Sequence, residues 1–288
     1  MKFQKLKQII KQYESVLVAF SGGIDSTFVL KVARDVLGRD RVKAVTASSK
    51  SVPERELEEA KKIAIELDVK HQIIQTQEMD NPAYRSNPMN RCYFCKTELY
   101  DHLIPTAKAW NLKTICNGTN LDDLSDHRPG LIAASEQGIK SPLVEAGLTK
   151  KEVRELSREM GIRIWDKSAA PCLSSRFPYG HEITAEKLKQ VETGENFLKD
   201  LGFKVIRLRH YGKKACLELG QEEFIRLMDV ALRNQVTEFI LSLGFKTAVF
   251  ESYQSGRLNT LSFPHVLSGN LESRSLIKAF GNDVRENS

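Results

Sequence analysis

Two hydrophobic rhythms alternate along the chain as far as Met160. Apolar runs of strand length, Val16 to Phe20, Val42 to Ala47, His71 to Ile74 and Lys113 to Cys116, are separated by stretches whose apolar residues recur at helical spacing. The helical stretches are Met1 to Gln12, the segment through Phe28, Leu30 and Val32, Val52 to Leu67 opened by Pro53, Thr97 to Trp110, and Thr149 to Met160. Thr149 stands at an N-cap with Glu152 at capping-box spacing. Strands alternating with helices predict an α/β fold with a doubly wound parallel sheet over residues 1–180.

Residues 161–182 lose this periodicity and contain Pro171, Pro178 and Gly180, the composition of a functional loop. A second, smaller α+β domain is expected over 181–288, in keeping with two domains for 288 residues. Asn196 to Lys204 is echoed by Glu238 to Lys246, each copy reading as a helix end, a glycine C-cap and a strand start. With a strand at Ala215 to Leu219 between them, the predicted order is αββαβ. The echoing helices are plausible assembly surfaces for a homo-oligomer. Beyond Thr260 the pattern fades into Ser, Gly and Asn, and a loosely held tail is expected.

Composition narrows the class. With 41% hydrophobic and 28% charged residues the chain is that of a soluble globular protein. No run approaches the roughly 20 apolar residues of a membrane span, and Met1 to Gln12 reads as a lysine-rich amphipathic helix, so a cytoplasmic protein without membrane contact is expected. Net charge is +6, and residues 181–288 hold 15 Lys/Arg against 14 Asp/Glu. That balance suits an anionic small substrate better than a nucleic acid, which calls for a basic stripe. The five cysteines are an odd number, which favours thiols or metal ligands over disulfides.

Ser21-Gly22-Gly23-Ile24-Asp25-Ser26 lies between the first strand and the next helix, the context of a phosphate site. The glycines let the backbone approach an anion, Ser21, Ser26 and Thr27 add hydroxyls, and the helix N-terminus adds partial positive charge. Asp25 can hold a divalent ion such as Mg2+ against phosphate oxygens. Cys92-Tyr93-Phe94-Cys95, at the mouth of the helix expected near Thr97, reads as a redox dithiol, half of a zinc site or part of an iron–sulfur site. Cys172, in the 161–182 loop, would be a third thiolate for a four-iron cluster with one iron left open. Cys116 and Cys216 sit in apolar strand patterns and read as small core residues.

The run Asn117 to Gly130 follows a strand and so lies at the sheet's carboxyl edge, where α/β sheets bind ligands. Gly118, Asp126 and Arg128 in it are candidate site residues, with Arg128 and Lys150 as phosphate partners. Arg207 and Arg209, alternating on one strand face, can form a fork for a phosphate monoester or simply a solvated face. Glu195 and Glu218 are a weaker candidate for a second divalent-ion site.

Taken together, Ser21 to Ser26, Asn117 to Gly130, Ser141-Pro142-Leu143 with Leu148-Thr149-Lys150, and Cys172-Leu173-Ser174-Ser175-Arg176-Phe177-Pro178-Tyr179-Gly180 resemble the LarE-type ATP-dependent sulfur transferases of the PP-loop class. The resemblance spans about residues 15–260. It implies ATP cleavage between the α and β phosphates, adenylation of a pyridinium carboxylate mononucleotide and its conversion to a thiocarboxylate for the nickel-pincer nucleotide of lactate racemase. Single-cysteine members resemble sacrificial donors that give up the sulfur of the cysteine in this loop. Cys92 and Cys95 beside Cys172 make this chain similar instead to the three-cysteine branch, in which a [4Fe-4S] cluster carries a labile sulfide.

On this reading Ser21, Gly22, Gly23, Asp25, Ser26, Gly118 and Arg128 bind ATP, and Thr46 and Ala47 meet the adenine. Lys150 and Asp25 serve the first step and Cys172 the second, while Ser175, Arg176, Arg207 and Arg209 hold the substrate's phosphate. The rival readings are a tRNA-thiolating enzyme of the same loop class, an amide-forming synthetase, and a nucleotide-binding iron–sulfur sensor that never turns over.

Overall fold

Helix α1 (Lys2–Gln12) buries Leu6 and Ile10 and leaves its lysines in water. Behind it come β1 (Val16–Ala19), α2 (Ile24–Leu37), β2 (Val42–Ser48), α3 (Glu54–Glu66) and β3 (Lys70–Gln75). The short α4 (Pro82–Arg85) and long α5 (Arg91–Ala109) lead to β4 (Thr114–Cys116), followed by α6 (Pro129–Glu136), α7 (Pro142–Ala146) and α8 (Lys150–Glu159). This computed structural model describes residues 1–125 and 129–253. Asp126, Arg128 and the tail expected beyond Thr260 lie outside the described residues.

The four strands pair in parallel in the order β3-β2-β1-β4. Alternate residues of β1 face opposite layers: Val16 and Val18 pack with α1, α2 and α8, while Leu17 packs with α5 and α6. The sheet is therefore doubly wound, as the alternation of strands and helices predicts. The chain runs outward from β1 to β3, then returns to lay β4 on the other side of β1. The crevice between the carboxyl ends of β1 and β4 is thus the topological switch point, where such sheets bind ligands.

The expected helix from Thr97 to Trp110 begins earlier, at Arg91. Local sequence offers no side-chain cap there; the start is held by Arg91, whose buried guanidinium donates to Asn87 Oδ1 and, at 2.9 Å, to Ser174 O. This correction moves Cys92 and Cys95 from the mouth of the helix into its first turns, where an i, i+3 pair shares one face. The helices α6 and α7 were not anticipated; they span eight and five residues, too few to show a period.

A second sheet follows the loop at 161–182. Helix α9 (Ala185–Asp200), β5 (Ile206–Tyr211), β6 (Lys214–Leu219), α10 (Gln221–Arg226), α11 (Val230–Ser242) and β7 (Thr247–Ser252) form a mixed sheet, β5 antiparallel and β7 parallel to β6. The predicted αββαβ order lacks α10, a short polar helix tied down by tertiary bonds: Glu223 Oε1 accepts from Lys204 N and Val205 N at 3.1 Å. The internal echo has a structural counterpart. Phe197 and Phe239, equivalent positions of the two copies, stack with ring centroids 3.7 Å apart, and Gly202 and Gly244 both take positive φ at the helix ends. Both sheets belong to one compact unit. No helix among the described residues is long and apolar enough to cross a membrane.

Candidate active site

Strand β1 stops at Ala19 and the chain turns through Ser21-Gly22-Gly23 into α2. Gly22 has φ +69°, and a Cβ on it would meet the Ala60 Cβ of α3 at 3.0 Å, so both conformation and space require glycine. Hydroxyls brace the turn. Ser26 Oγ donates to Gly23 O at 3.1 Å and accepts from Ser21 N at 3.3 Å, while Thr27 Oγ1 donates to Gly23 O at 2.9 Å. The first amide bonded within the helix is Thr27 N, to Gly23 O at 3.0 Å. The amides of Ile24, Asp25 and Ser26 precede it and form the anion-binding end of α2.

The loop after β4 closes over that end. A Cβ on Gly118 would lie 2.5 Å from Ser26 N and 2.8 Å from Ser26 Cα, both backbone atoms that cannot yield. Gly118→Ala is therefore expected to lower stability by about 1–3 kcal/mol through overpacking and to weaken ATP binding by prising the loop from α2. Denaturant unfolding and the ATP-induced shift in melting temperature measure the two effects. Neighbouring Asn120 donates Nδ2 to Asp25 Oδ1 at 3.3 Å, and the Lys150 ammonium pairs with Asp25 Oδ2. Lys150 opens α8 behind Thr149, whose capping box with Glu152 is formed as predicted. Lys167, which sequence reasoning did not single out, reaches the same turn: Nζ donates to Gly22 O at 3.3 Å and pairs with Glu56 at 2.7 Å. Its position in an aperiodic loop gave no signal.

Beside the phosphate turn a cavity of about 280 Å³ opens at the carboxyl ends of β1 and β2. Phe20, Ser21, Thr46, Ala47, Cys92, Cys95 and Cys172 all line it. Cysteines from two distant segments thus share one cavity with the phosphate loop. The Thr46 hydroxyl is engaged, donating to Phe20 O at 2.7 Å with His71 Nε2 at 2.8 Å, so it is the strand edge that faces the cavity. Burial, with the charges of Glu78 and the other two cysteines adding to it, outweighs Lys96 and pushes the Cys95 thiol up to about 12. Cys116 and Cys216 are buried on β4 and β6, matching their reading as core residues.

The arginines expected at the substrate phosphate have other engagements. Arg176 is 3% exposed and grips Glu195 in a fork, Nε to Oε1 at 2.8 Å and Nη2 to Oε2 at 2.9 Å. Its remaining nitrogen, Nη1, donates to Pro171 O, Cys172 O and Ser175 Oγ. Arg209 pairs with Glu218 at 2.7 Å and donates to Ser175 O at 2.9 Å. Arg207, half-buried, donates to Ala169 O at 2.7 Å and to Ile206 O. All three therefore hold the Cys172 loop against the second sheet. Glu195 and Glu218, weighed as a second cation site, are corrected to arginine partners. Burial would raise the Glu195 carboxyl, but Arg176 and the Leu208 amide together hold it below the ordinary range.

Residues 2–91 match the family model described as NAD synthase, which covers the phosphate loop and stops one residue before Cys92. The pyridinium-3,5-bisthiocarboxylic acid mononucleotide synthase of Lactiplantibacillus plantarum is 38% identical over 253 residues, covering 87% of this chain and 91% of that relative. The chain belongs to the LarE-type ATP-dependent sulfur transferases. An uncharacterized protein of Synechocystis sp. is 45% identical over 260 residues (90% of this chain, 97% of the relative), and one of Methanocaldococcus jannaschii 30% over 224 residues (77% and 85%). Similarity to this family extends past the NAD synthase match, so the cysteine segments and the second sheet belong to the sulfur transferase, an ATP-utilising enzyme.

Proposed function

We propose that this chain adenylates a pyridinium carboxylate mononucleotide with ATP and converts it to a thiocarboxylate in the synthesis of the nickel-pincer nucleotide. The observation that carries this reading is the single cavity in which the phosphate turn and Cys92, Cys95 and Cys172 meet. A carboxylate oxygen of the substrate attacks the α-phosphorus of ATP, the bond to the β-phosphate oxygen breaks, and pyrophosphate leaves. The amides opening α2 and the Lys150 ammonium stabilise the charge that develops on the leaving group. Asp25 would hold Mg2+ against the phosphates, with Lys150 released to them. Adenylation turns a poor leaving group into AMP, which departs as sulfur bonds to the activated carbon. Arg207, with the loop it holds, would meet the substrate's phosphate, and Ser175 and Arg176 would set the loop beneath it.

Cys92, Cys95 and Cys172 would hold a [4Fe-4S] cluster, which when bound supplies a labile sulfur for transfer. The donor set fits: three thiols line one cavity, with the cations Arg91 and Lys96 in the same wall to balance thiolate charge. Among the described residues no three His, Cys, Asp or Glu side chains converge tightly enough for one metal ion. A cluster does not ask for that, because each thiolate binds a different iron.

The test is pyrophosphate release on mixing the protein, ATP, Mg2+ and the mononucleotide. Release that depends on the mononucleotide is expected, and no release overturns the proposal. Lys150→Ala is expected to slow that release by about 10²–10³-fold, the scale for removing one charge-stabilising donor. An unchanged rate would exclude Lys150 from the step.

A further inference from the structure

The wall of the same cavity holds a buried carboxylate that the two steps above leave without a role. Glu78 follows β3 on a single turn, Glu78–Asp80, and is 3% exposed. Its Oε1 accepts from Ser49 Oγ at 2.5 Å and Ser51 Oγ at 2.9 Å. Its Oε2 is closed off from solvent and has no hydrogen-bond partner. A buried carboxylate oxygen left unmatched is costly and calls for a ligand. Lys96 on α5 lines the same cavity. Glu56, the other acidic residue of the cavity wall, is already paired with Lys167.

We infer that Glu78 and Lys96 are the two poles of a subsite for a zwitterionic aromatic ring, Lys96 meeting a ring carboxylate and Glu78 the ring's positive charge. This rests on the proposed function and names what that site selects in its substrate. A ring nitrogen bonded to ribose has no N–H, so it cannot be recognised by a hydrogen bond from the nitrogen. Its charge can be recognised by negative charge placed nearby in a medium of low dielectric constant. A carboxylate in a site for carboxylates would by itself repel the substrate. Its presence becomes favourable when the ring is cationic, and it then rejects neutral aromatic acids of the same shape.

The experiment compares two substrates, the pyridinium carboxylate mononucleotide and its neutral phenyl C-riboside phosphate with the same carboxylates, in ATP-dependent pyrophosphate release. Wild type is expected to favour the cationic ring by roughly 30-fold or more in kcat/KM. In Glu78→Gln, whose amide oxygen still accepts from Ser49 and Ser51, that preference should fall to near unity, with the ATP-induced shift in melting temperature retained. Lys96→Gln should weaken both substrates alike and keep the preference. A preference unchanged in Glu78→Gln overturns the inference, as does an equal loss of both substrates with ATP binding intact, which would make Glu78 a loop brace only. No release by wild type with either substrate would instead remove the proposed function itself.

Discussion

Replacing Cys172 with alanine is expected to abolish thiocarboxylate formation while mononucleotide-dependent pyrophosphate release continues. On the proposed mechanism the two steps use different groups: the amides of α2 and Lys150 serve pyrophosphate departure, whereas Cys172 lines the cavity with Cys92 and Cys95. Loss of an essential sulfur ligand or donor should cost roughly 10⁴-fold or more in product. Cys92→Ala and Cys95→Ala decide how the sulfur is carried. If the three thiols act as one set, each variant loses bound iron and sulfide together with product. If product loss is confined to Cys172→Ala and the intact mass of wild type drops by one hydrogen sulfide after a single turnover that then ends activity, the sulfur comes from that side chain and the cluster proposal fails.

Glu195→Ala is expected to lower stability by about 3–5 kcal/mol, a large share of the 5–15 kcal/mol typical of folded chains. Glu195 and Arg176 are both about 3% exposed, so the variant strands a buried guanidinium and also strips the Leu208 amide of its acceptor at 3.0 Å. Urea unfolding reads the loss directly. A double change, Glu195→Leu with Arg176→Met, separates fold from function. Replacing a buried ion pair by apolar groups of similar volume is often neutral or stabilising, so the fold should recover most of the loss. The bonds from Arg176 to Pro171 O and Cys172 O would still be gone. Thiocarboxylate formation should therefore stay depressed in a well-folded protein. Full recovery of product would show that Arg176 serves only the fold.

Much of the first sheet could be read from local pattern. The strand beginning at Val16, the helix through Phe28, Leu30 and Val32 and the capping box of Thr149 depend on period, turn residues and caps, all properties of neighbouring positions. The start of α5 could not be read this way. Its first turn is secured by Arg91 reaching Ser174, a residue 83 positions further along the chain. Arg176 and Arg209 show the same limit more sharply. On sequence they read as candidates for the substrate's phosphate, and their buried pairing with Glu195 and Glu218 could not be read, because an arginine carries no local mark of whether a distant carboxylate will claim it.

By itself the sequence determined the doubly wound α/β framework, the phosphate turn at Ser21 to Ser26, and the three cysteines that mark the chain for sulfur chemistry. The framework and the turn follow from residue type at short spacing, and the reading of the cysteines from the resemblance to the family. Tertiary structure alone decided that Cys92 and Cys95 face the same cavity as Cys172, that Gly118 seals the end of α2, and that Glu195 serves an arginine while Glu78 keeps an oxygen unmatched. The physical reason is common to all of them. The role of a charged or sulfur-bearing side chain is set by its burial and its partners, and in a wound sheet those come from segments far apart in the chain.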